Sequence, residues 1–232
     1  MNLLKMACAL TLGVSLTACG SSEVVTRAAP LSSTTANIDY SVKNFQPTPE
    51  LLTAEAMQAA IVQQINVSQI NVNVPTSLKV SEANRYYPSG DIVWREDPIG
   101  DRHAQVGKIL KDAMLQGTAS FQGSVPIILD IQLVRFHALS EKARYTVGGV
   151  HHVVFDMILR DAKTGAVLSP PRRIETDLAA FGGQQAKTAE ANGQTQKRRL
   201  TNHLAEVIRQ QMVKPAGYEN ASLGFFQLVN RI

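Results

Sequence analysis

Two segments in the middle of the chain carry an apolar residue at every second position. The odd-numbered residues are Ile or Leu throughout 127–133, and they are Val, Phe, Met and Leu in 153–159. A period of two places alternate side chains on opposite faces of a strand. The pattern therefore predicts two strands that share one buried face. In that register Leu133 lies beside Phe155 and Ile131 beside Met157, with a turn centred on Arg144.

Helical periods flank these strands. Apolar residues between Val106 and Met114 recur at helical spacing and predict a helix that ends before Gly117, with Asp97 as N-cap and Pro98 in the first turn. A last helix is predicted over 196–213 and a short one over 53–64. Further strands are predicted over 65–74 and 167–181. An exposed loop is predicted over 182–196, with one helical turn as the alternative. The predicted fold class is α+β, a two-layer arrangement with a mainly antiparallel sheet and two helices on one face.

The N-terminus has the pattern of a secretory signal. A positive start with Lys5 precedes an apolar run that is too short to span a bilayer. The run ends in Leu16-Thr17-Ala18-Cys19, which resembles the lipobox at which bacterial lipoproteins are acylated on cysteine and cleaved. The prediction is a signal peptide over 1–18, lipid attachment at Cys19, a flexible tether over 19–49 and a single periplasmic α+β domain over 50–232. The alternative is an ordinary secretory signal with an incidental cysteine.

Cleavage after residue 18 would change the cysteine content and the net charge of the mature chain. Cys8 would be removed, so Cys19 would be the only cysteine left, and the fold would rest on its core without a disulfide. Lys5 is the only charged residue of 1–18, so the net charge falls by one from +4. Such a small net positive charge gives no reason to expect a nucleic-acid partner. Gly20 and Ser21 follow the cysteine without an aspartate, which predicts sorting to the outer membrane, facing the periplasm.

Candidate chemical sites are sparse. The hairpin register places His137 opposite His151, and two histidines across a strand pair could begin a metal site, although nothing in the pattern supplies the remaining ligands that zinc needs. The alternative is a pair of partly buried histidines at the rim of the sheet. Asp97, Asp101 and His103 surround a helix start, where helix capping competes with a catalytic role. No catalytic residue, metal ligand or cofactor is predicted.

One basic cluster bears on possible partners. Lys197-Arg198-Arg199 begins the last helix and could meet anionic head groups or a wall polymer, as basic clusters near membranes do. The alternative is the solvated end of a helix.

Several segments resemble an uncharacterised proteobacterial outer-membrane lipoprotein family, a domain of unknown function. The resemblance spans about residues 65–213, and it is carried by the segments 80–84, 91–98, 100–102, 146–151, 161–165 and 193–196. It implies no activity, and Cys19 is the one functional residue carried over.

We therefore expect a non-enzymatic role for the chain. The prediction is a lipid-anchored periplasmic accessory or interaction protein of the cell envelope, held to the membrane by acyl chains on Cys19. Its partner would be an envelope protein, a lipid or a wall polymer. The alternative is a periplasmic hydrolase or metal-binding lipoprotein that uses His103, His137 or His151.

Overall fold

The structure, a computed structural model, describes residues 53–223. The predicted signal peptide, Cys19, the tether and the apolar C-terminal end of the chain lie outside the described residues. The predictions made for them therefore stay predictions.

The described chain contains five helices and five strands. In order they are α1 (Ala54–Gln64), β1 (Ile65–Asn73), β2 (Ile92–Val93), α2 (Arg102–Thr118), β3 (Val125–His137), α3 (Glu141–Arg144), β4 (Gly149–Asp161), β5 (Arg172–Ala180), α4 (Gly183–Ala191) and α5 (Gln196–Val213). This content confirms the α+β class.

The strands form one sheet in the order β1-β3-β4-β5, and the short β2 also pairs with β3. β3, β4 and β5 are antiparallel neighbours, whereas β1 and β2 run parallel to β3. A parallel neighbour requires a crossover connection, and the connection from β1 to β3 contains α2. The predicted pairs Leu133–Phe155 and Ile131–Met157 are confirmed.

A bulge in β3 changes the register toward its end. Leu133 pairs with Phe155 but Arg135 pairs with Val154, so Val134 is an additional residue on its strand. As a result His137 lies opposite His152, and the predicted pairing with His151 is wrong.

Helix starts are set by capping side chains. Asp101 caps α2 through a 3.0 Å hydrogen bond from the Ala104 amide to Oδ1, so the prediction of Asp97 as N-cap is wrong. The helix continues through Gly117 to Thr118, two residues beyond the predicted stop. α5 has the predicted bounds, and its N-cap is Thr195. The segment predicted as a loop over 182–196 contains α4.

The core lies between the sheet and the long helices. One buried cluster contains α2 and α5 residues such as Ile109 and Leu204 together with the odd-numbered residues of β3 and β4. At the helix crossing, a Cβ atom on Gly117 would lie 2.3 Å from the carbonyl oxygen of Ala205. Only glycine allows this approach. The shared cluster supports the finer prediction of two helices on one face, which stays a prediction.

Candidate functional site

The carboxylate of Glu96, whose side chain is 14% exposed, joins three parts of the chain. Its Oε1 lies 2.6 Å from Nη2 of Arg144, which belongs to α3. The same carboxylate accepts hydrogen bonds from the backbone amides of Gln196 and Lys197, at 2.9 Å and 2.5 Å. These amides belong to the first turn of α5, where helical N–H groups lack partners within the helix and the dipole favours a negative charge. Glu96 thus fixes the start of α5 against α3.

A second carboxylate, Glu82, holds two arginines. Arg102 Nε lies 2.6 Å from Glu82 Oε1, and Arg95 Nη1 lies 3.1 Å from Oε2. Arg95 also pairs with Glu141 of α3 at 2.8 Å. The hydrogen bond from Arg102 holds the pKa of Glu82 below its usual range. The loop before α2 is therefore tied both to that helix and to α3.

The third carboxylate, Asp97, links the loop to α5. It accepts a 2.9 Å hydrogen bond from Nε1 of buried Trp94 and pairs with Lys197 Nζ at 2.8 Å. Although burial alone raises the pKa of Asp97, the hydrogen bonds from Lys197 and Trp94 bring it below its usual value. Lys197, whose side chain is 37% exposed, is thus engaged in an ion pair within the chain.

Beneath this network lies His151, which is almost completely buried on the helix-facing side of β4. Neither of its ring nitrogens has a hydrogen-bond partner among the described residues. Burial, helped by the positive charges of Arg199 and Arg144, lowers the pKa of His151 to about 3. The side chain is therefore a neutral imidazole at ordinary pH.

Arg199 is a cation without a carboxylate within ion-pair distance in the described chain. Its guanidinium lies 3.7 Å from the ring centre of Phe181 and donates a 2.6 Å hydrogen bond to the Ala179 carbonyl. Stacking on an aromatic face is a stable environment for an arginine.

A cavity of about 10 Å³ lies beside this arginine and is lined by Arg144, Glu190, Gln196 and Phe181, among others. The Gln196 Oε1 atom is buried and has no partner within residues 53–223. Glu190 Oε1 lies 2.5 Å from Arg144 Nη2, a close ion pair without hydrogen-bond geometry. The volume is at the lower limit for one water molecule, which could satisfy the glutamine.

The other predicted histidines lie apart from His151. His137 contacts Arg135 Nη2 through Nδ1 at 3.0 Å and the Gly90 carbonyl through Nε2 at 2.6 Å. His103 Nε2 lies 3.1 Å from the Leu78 carbonyl, and Asp101 beside it is a helix cap. Within residues 53–223, no group of three or more His, Cys, Asp or Glu side chains is arranged to hold a metal.

Three exposed tyrosines and one exposed valine lie in the loop before β2 and directly after α3. We call these residues, Tyr86, Tyr87, Tyr145 and Val147, the tyrosine patch. Their exposed fractions are 39%, 65%, 42% and 66%.

The loop of the patch is anchored to α3, which Tyr145 directly follows. Ser140 Oγ donates to the Arg85 carbonyl at 2.6 Å, and the Lys142 amide donates to Asn84 Oδ1 at 2.7 Å. The Lys142 ammonium lies 4.7 Å from the ring centre of Tyr86. The patch is therefore an exposed apolar surface on a braced support.

Sequence reasoning missed this network because its partners are distant in the chain. Glu96 is separated from Arg144 by 48 positions and from Gln196 by 100. The segments that carry the family resemblance nevertheless meet here: 80–84 contains Glu82, 91–98 contains Glu96 and Asp97, 146–151 contains His151, and 193–196 contains Gln196. The family resemblance of these segments was the one signal in the sequence that pointed to the network.

The comparisons with other proteins agree with the resemblance. A model of a family of unknown function, DUF6778, matches residues 65–228, and the chain belongs to this family. No curated protein matches it. The chain's membership in DUF6778 confirms the prediction that it belongs to an uncharacterised family.

Three solved structures are similar at low identity. A candidate lipoprotein from Caulobacter crescentus CB15 is 22% identical over 48% of this chain and 84% of its own, with a TM-score of 0.30. Protein XCC0632 from Xanthomonas campestris, matched to the DUF330 family, is 9% identical over 66% and 85%, with a TM-score of 0.39. The PelC dodecamer of Paraburkholderia phytofirmans is 15% identical over 61% and 89%, with a TM-score of 0.24. Similarity at this level supports no functional argument.

Among the helices of residues 53–223, none combines the length and the apolar character that crossing a bilayer requires.

Proposed function

We propose that this chain is a lipid-anchored, non-enzymatic interaction protein of the cell envelope. Cys19 carries the acyl chains, and the tyrosine patch binds another envelope protein. The anchor is inferred from the lipobox Leu16-Thr17-Ala18-Cys19. Two or more acyl chains give stable membrane attachment without a spanning helix. The sequence after Cys19 favours the outer membrane, with the domain facing the periplasm.

The observation that carries the binding role is the bracing of the tyrosine patch. The loop with Tyr86 and Tyr87 is fixed to α3 by two hydrogen bonds, and α3 is fixed to α5 through Arg144 and Glu96. Tyrosine is enriched in the energetic centres of protein interfaces, and a preorganised surface loses less entropy on binding. Lys142 and Arg85 add positive charge at the rim.

The chemistry of the network favours binding over catalysis. Its carboxylates are engaged in ion pairs, and the pKa values of Glu82 and Asp97 lie below their usual ranges. A general acid or base needs a pKa near the working pH. His151 is a neutral ring enclosed in the core, where a substrate would have to displace packed side chains.

Site-specific photocrosslinking in living cells tests the proposal. A photoreactive phenylalanine derivative replaces Val147 in the patch or, as a control, Leu168 in the β4–β5 connection, which is 54% exposed. We expect one discrete protein adduct from position 147 that is absent from position 168. Adducts to lipid or wall polymer alone, or the same protein adducts at both positions, would contradict a protein-binding patch.

A further inference from the structure

β1 is an edge strand with unusual composition. Its nine residues, INVSQINVN, include no charged residue and no proline. From Val67 to Asn73 it has a strand neighbour on one side only in the described chain, namely β3. Natural proteins usually protect such an edge with charges or prolines, because unpaired backbone groups attract another strand. The bulge at Ser68 precedes the regular part, which covers residues 69–73.

The backbone groups that point outward can be assigned. Lys111 Nζ of α2 donates a hydrogen bond to the Ile70 carbonyl, which therefore points away from β3. The N–H and C=O of one strand residue point to the same side, and alternate residues behave alike. Ile70 and Val72 therefore present their amides and carbonyls at the free edge. The Ile70 oxygen has a second lone pair for a further donor.

The faces of the strand also alternate. Ile70 and Val72 pack toward the helices, while Gln69, Asn71 and Asn73 are exposed on the other face. Each of these amides donates one hydrogen bond within the chain, Gln69 to Asn71, Asn71 to Asp130 and Asn73 to Gln132. Each amide keeps a second N–H and at least one oxygen lone pair, so it can also pair with a copy of itself. The strand is thus self-complementary about Asn71.

We propose that two copies of this chain pair through β1, antiparallel about a twofold axis at Asn71. Ile70 of one copy then lies opposite Val72 of the other, and these two outward-facing residues exchange N–H···O=C bonds. Apolar side chains meet apolar ones on the helix face, and amides meet amides on the open face. The two sheets become one continuous sheet. This inference does not depend on the tyrosine patch.

Charge on α2 supports a second copy as the occupant. Lys111 contacts Ile70, and a Cβ on Gly107 would lie 3.3 Å from Val74 Cγ2, so α2 runs antiparallel to β1. Lys108 and Asp112 line the same groove as Asn71. A twofold axis there brings Lys108 of each copy toward Asp112 of the other. These residues already form an ion pair within one copy at 2.8 Å. Two copies would therefore give an alternating group of four charges.

The surface has room for this arrangement. An open groove of about 560 Å³ lies between β1 and α2, lined by Ile70, Val72, Lys108, Lys111 and Asp112, among others. A strand added at the edge would close one side of it.

Cysteine substitutions in the full chain, expressed in its own envelope, test the register. Across the axis the Cα atoms of position 71 would be about 4.5 Å apart, within disulfide range. Position 73 would be about 13 Å from its copy but directly opposite position 69. We expect Asn71→Cys to give a disulfide dimer on a nonreducing gel and Asn73→Cys alone to stay monomeric. Coexpressed Asn73→Cys and Gln69→Cys chains should form a mixed dimer.

An edge-blocking variant gives an independent measurement. Val72→Pro removes an outward amide, which an edge strand tolerates, so circular dichroism should stay unchanged while the purified full chain loses its dimer in sedimentation. Trapping of Asn73→Cys as efficiently as Asn71→Cys would overturn the register. A monomeric wild-type chain, or a dimer that persists in well-folded Val72→Pro, would overturn the proposal.

Discussion

Arg144 and Glu96 form an ion pair with 2.6 Å between Nη2 and Oε1, and only 7% and 14% of the two side chains are exposed. The pair joins the hairpin connection of β3 and β4 to the first turn of α5, because Glu96 also accepts the Gln196 and Lys197 amides. Glu96 is therefore one of the carboxylates that hold the end of the molecule carrying the tyrosine patch.

Glu96→Gln should destabilise the fold. Breaking a buried ion pair by removing one partner typically costs about 3 to 5 kcal/mol, and we expect about 3 kcal/mol because Glu190 still pairs with Arg144. Urea unfolding of the variant and the wild type measures the difference. Arg173→Met is the control, since the Arg173–Asp156 pair is exposed on the open face and should contribute less than about 1 kcal/mol. Equal losses for the two variants would contradict the role of Glu96.

Gly117→Ala should lower the stability although alanine is the better helix former. A methyl group at this position would lie 2.3 Å from the Ala205 carbonyl oxygen, so α2 and α5 would have to separate, at a cost of about 1 to 3 kcal/mol. Gly107→Ala in the same helix is the matched control, because its nearest neighbour is a valine methyl at 3.3 Å. Calorimetry should show the larger drop in Tm for position 117. If Gly117→Ala raised the Tm, as helix propensity alone predicts, α2 and α5 would be packed less closely at position 117 than the structure shows.

His151 should make the fold more stable at neutral than at acidic pH. The unfolded chain takes up the proton near the ordinary pKa of 6.5, whereas the folded chain resists it until about 3. The unfolded state thus binds more protons in this window, so stability falls as the pH drops from about 6.5 toward 3, by at most about 1.4 kcal/mol per pH unit.

The measurement is the free energy of unfolding of wild type and His151→Gln across this range. Burial also lowers the pKa values of His137 and His203, so the informative quantity is the difference in slope between the two proteins. We expect the variant to depend less steeply on pH. Identical slopes would mean that the His151 ring is accessible to protons in the folded state.

Much of the fold could be predicted from periodicity, since Leu133–Phe155 and the bounds of α5 follow from local pattern. The error at His137 arose because Val134 bulges, and a bulge shifts every later pair without altering the alternation before it. The start of α2 was placed too early because Asp97-Pro98 has the local form of a cap. Asp97 instead bonds Trp94 and Lys197, and the lysine is 100 positions away.

The site was less predictable than the fold. Arg144 was expected only at the centre of a turn, and its pairing with Glu96 depends on tertiary contacts that no local pattern encodes. His151 was recognised as a candidate, and its place on the helix-facing side follows from the alternation along β4, but its complete burial depends on tertiary packing that no local pattern encodes.

Cys19→Ser should abolish lipid attachment, because the acyl group is carried on the cysteine sulfur. Metabolic labelling with a fatty-acid analogue should mark the wild-type protein and leave the variant unlabelled. Labelling of the variant at the wild-type level would exclude Cys19 as the attachment site.

Binding through the tyrosine patch is the central claim, and the most direct test combines the crosslinker at position 147 with truncation of the patch. Tyr86→Ala removes a ring that packs under the Lys142 ammonium. Loss of an interface residue of the energetically dominant kind costs at least about 2 kcal/mol, which corresponds to roughly a thirtyfold loss of affinity. Arg173→Ala on the open face of the sheet is the control.

The quantity measured is the yield of the protein adduct formed from position 147, at equal amounts of membrane-bound chain. We predict that Tyr86→Ala lowers this yield by about an order of magnitude and that Arg173→Ala leaves it unchanged. An undiminished adduct in Tyr86→Ala, with the chain folded and membrane-bound, would contradict binding through the patch.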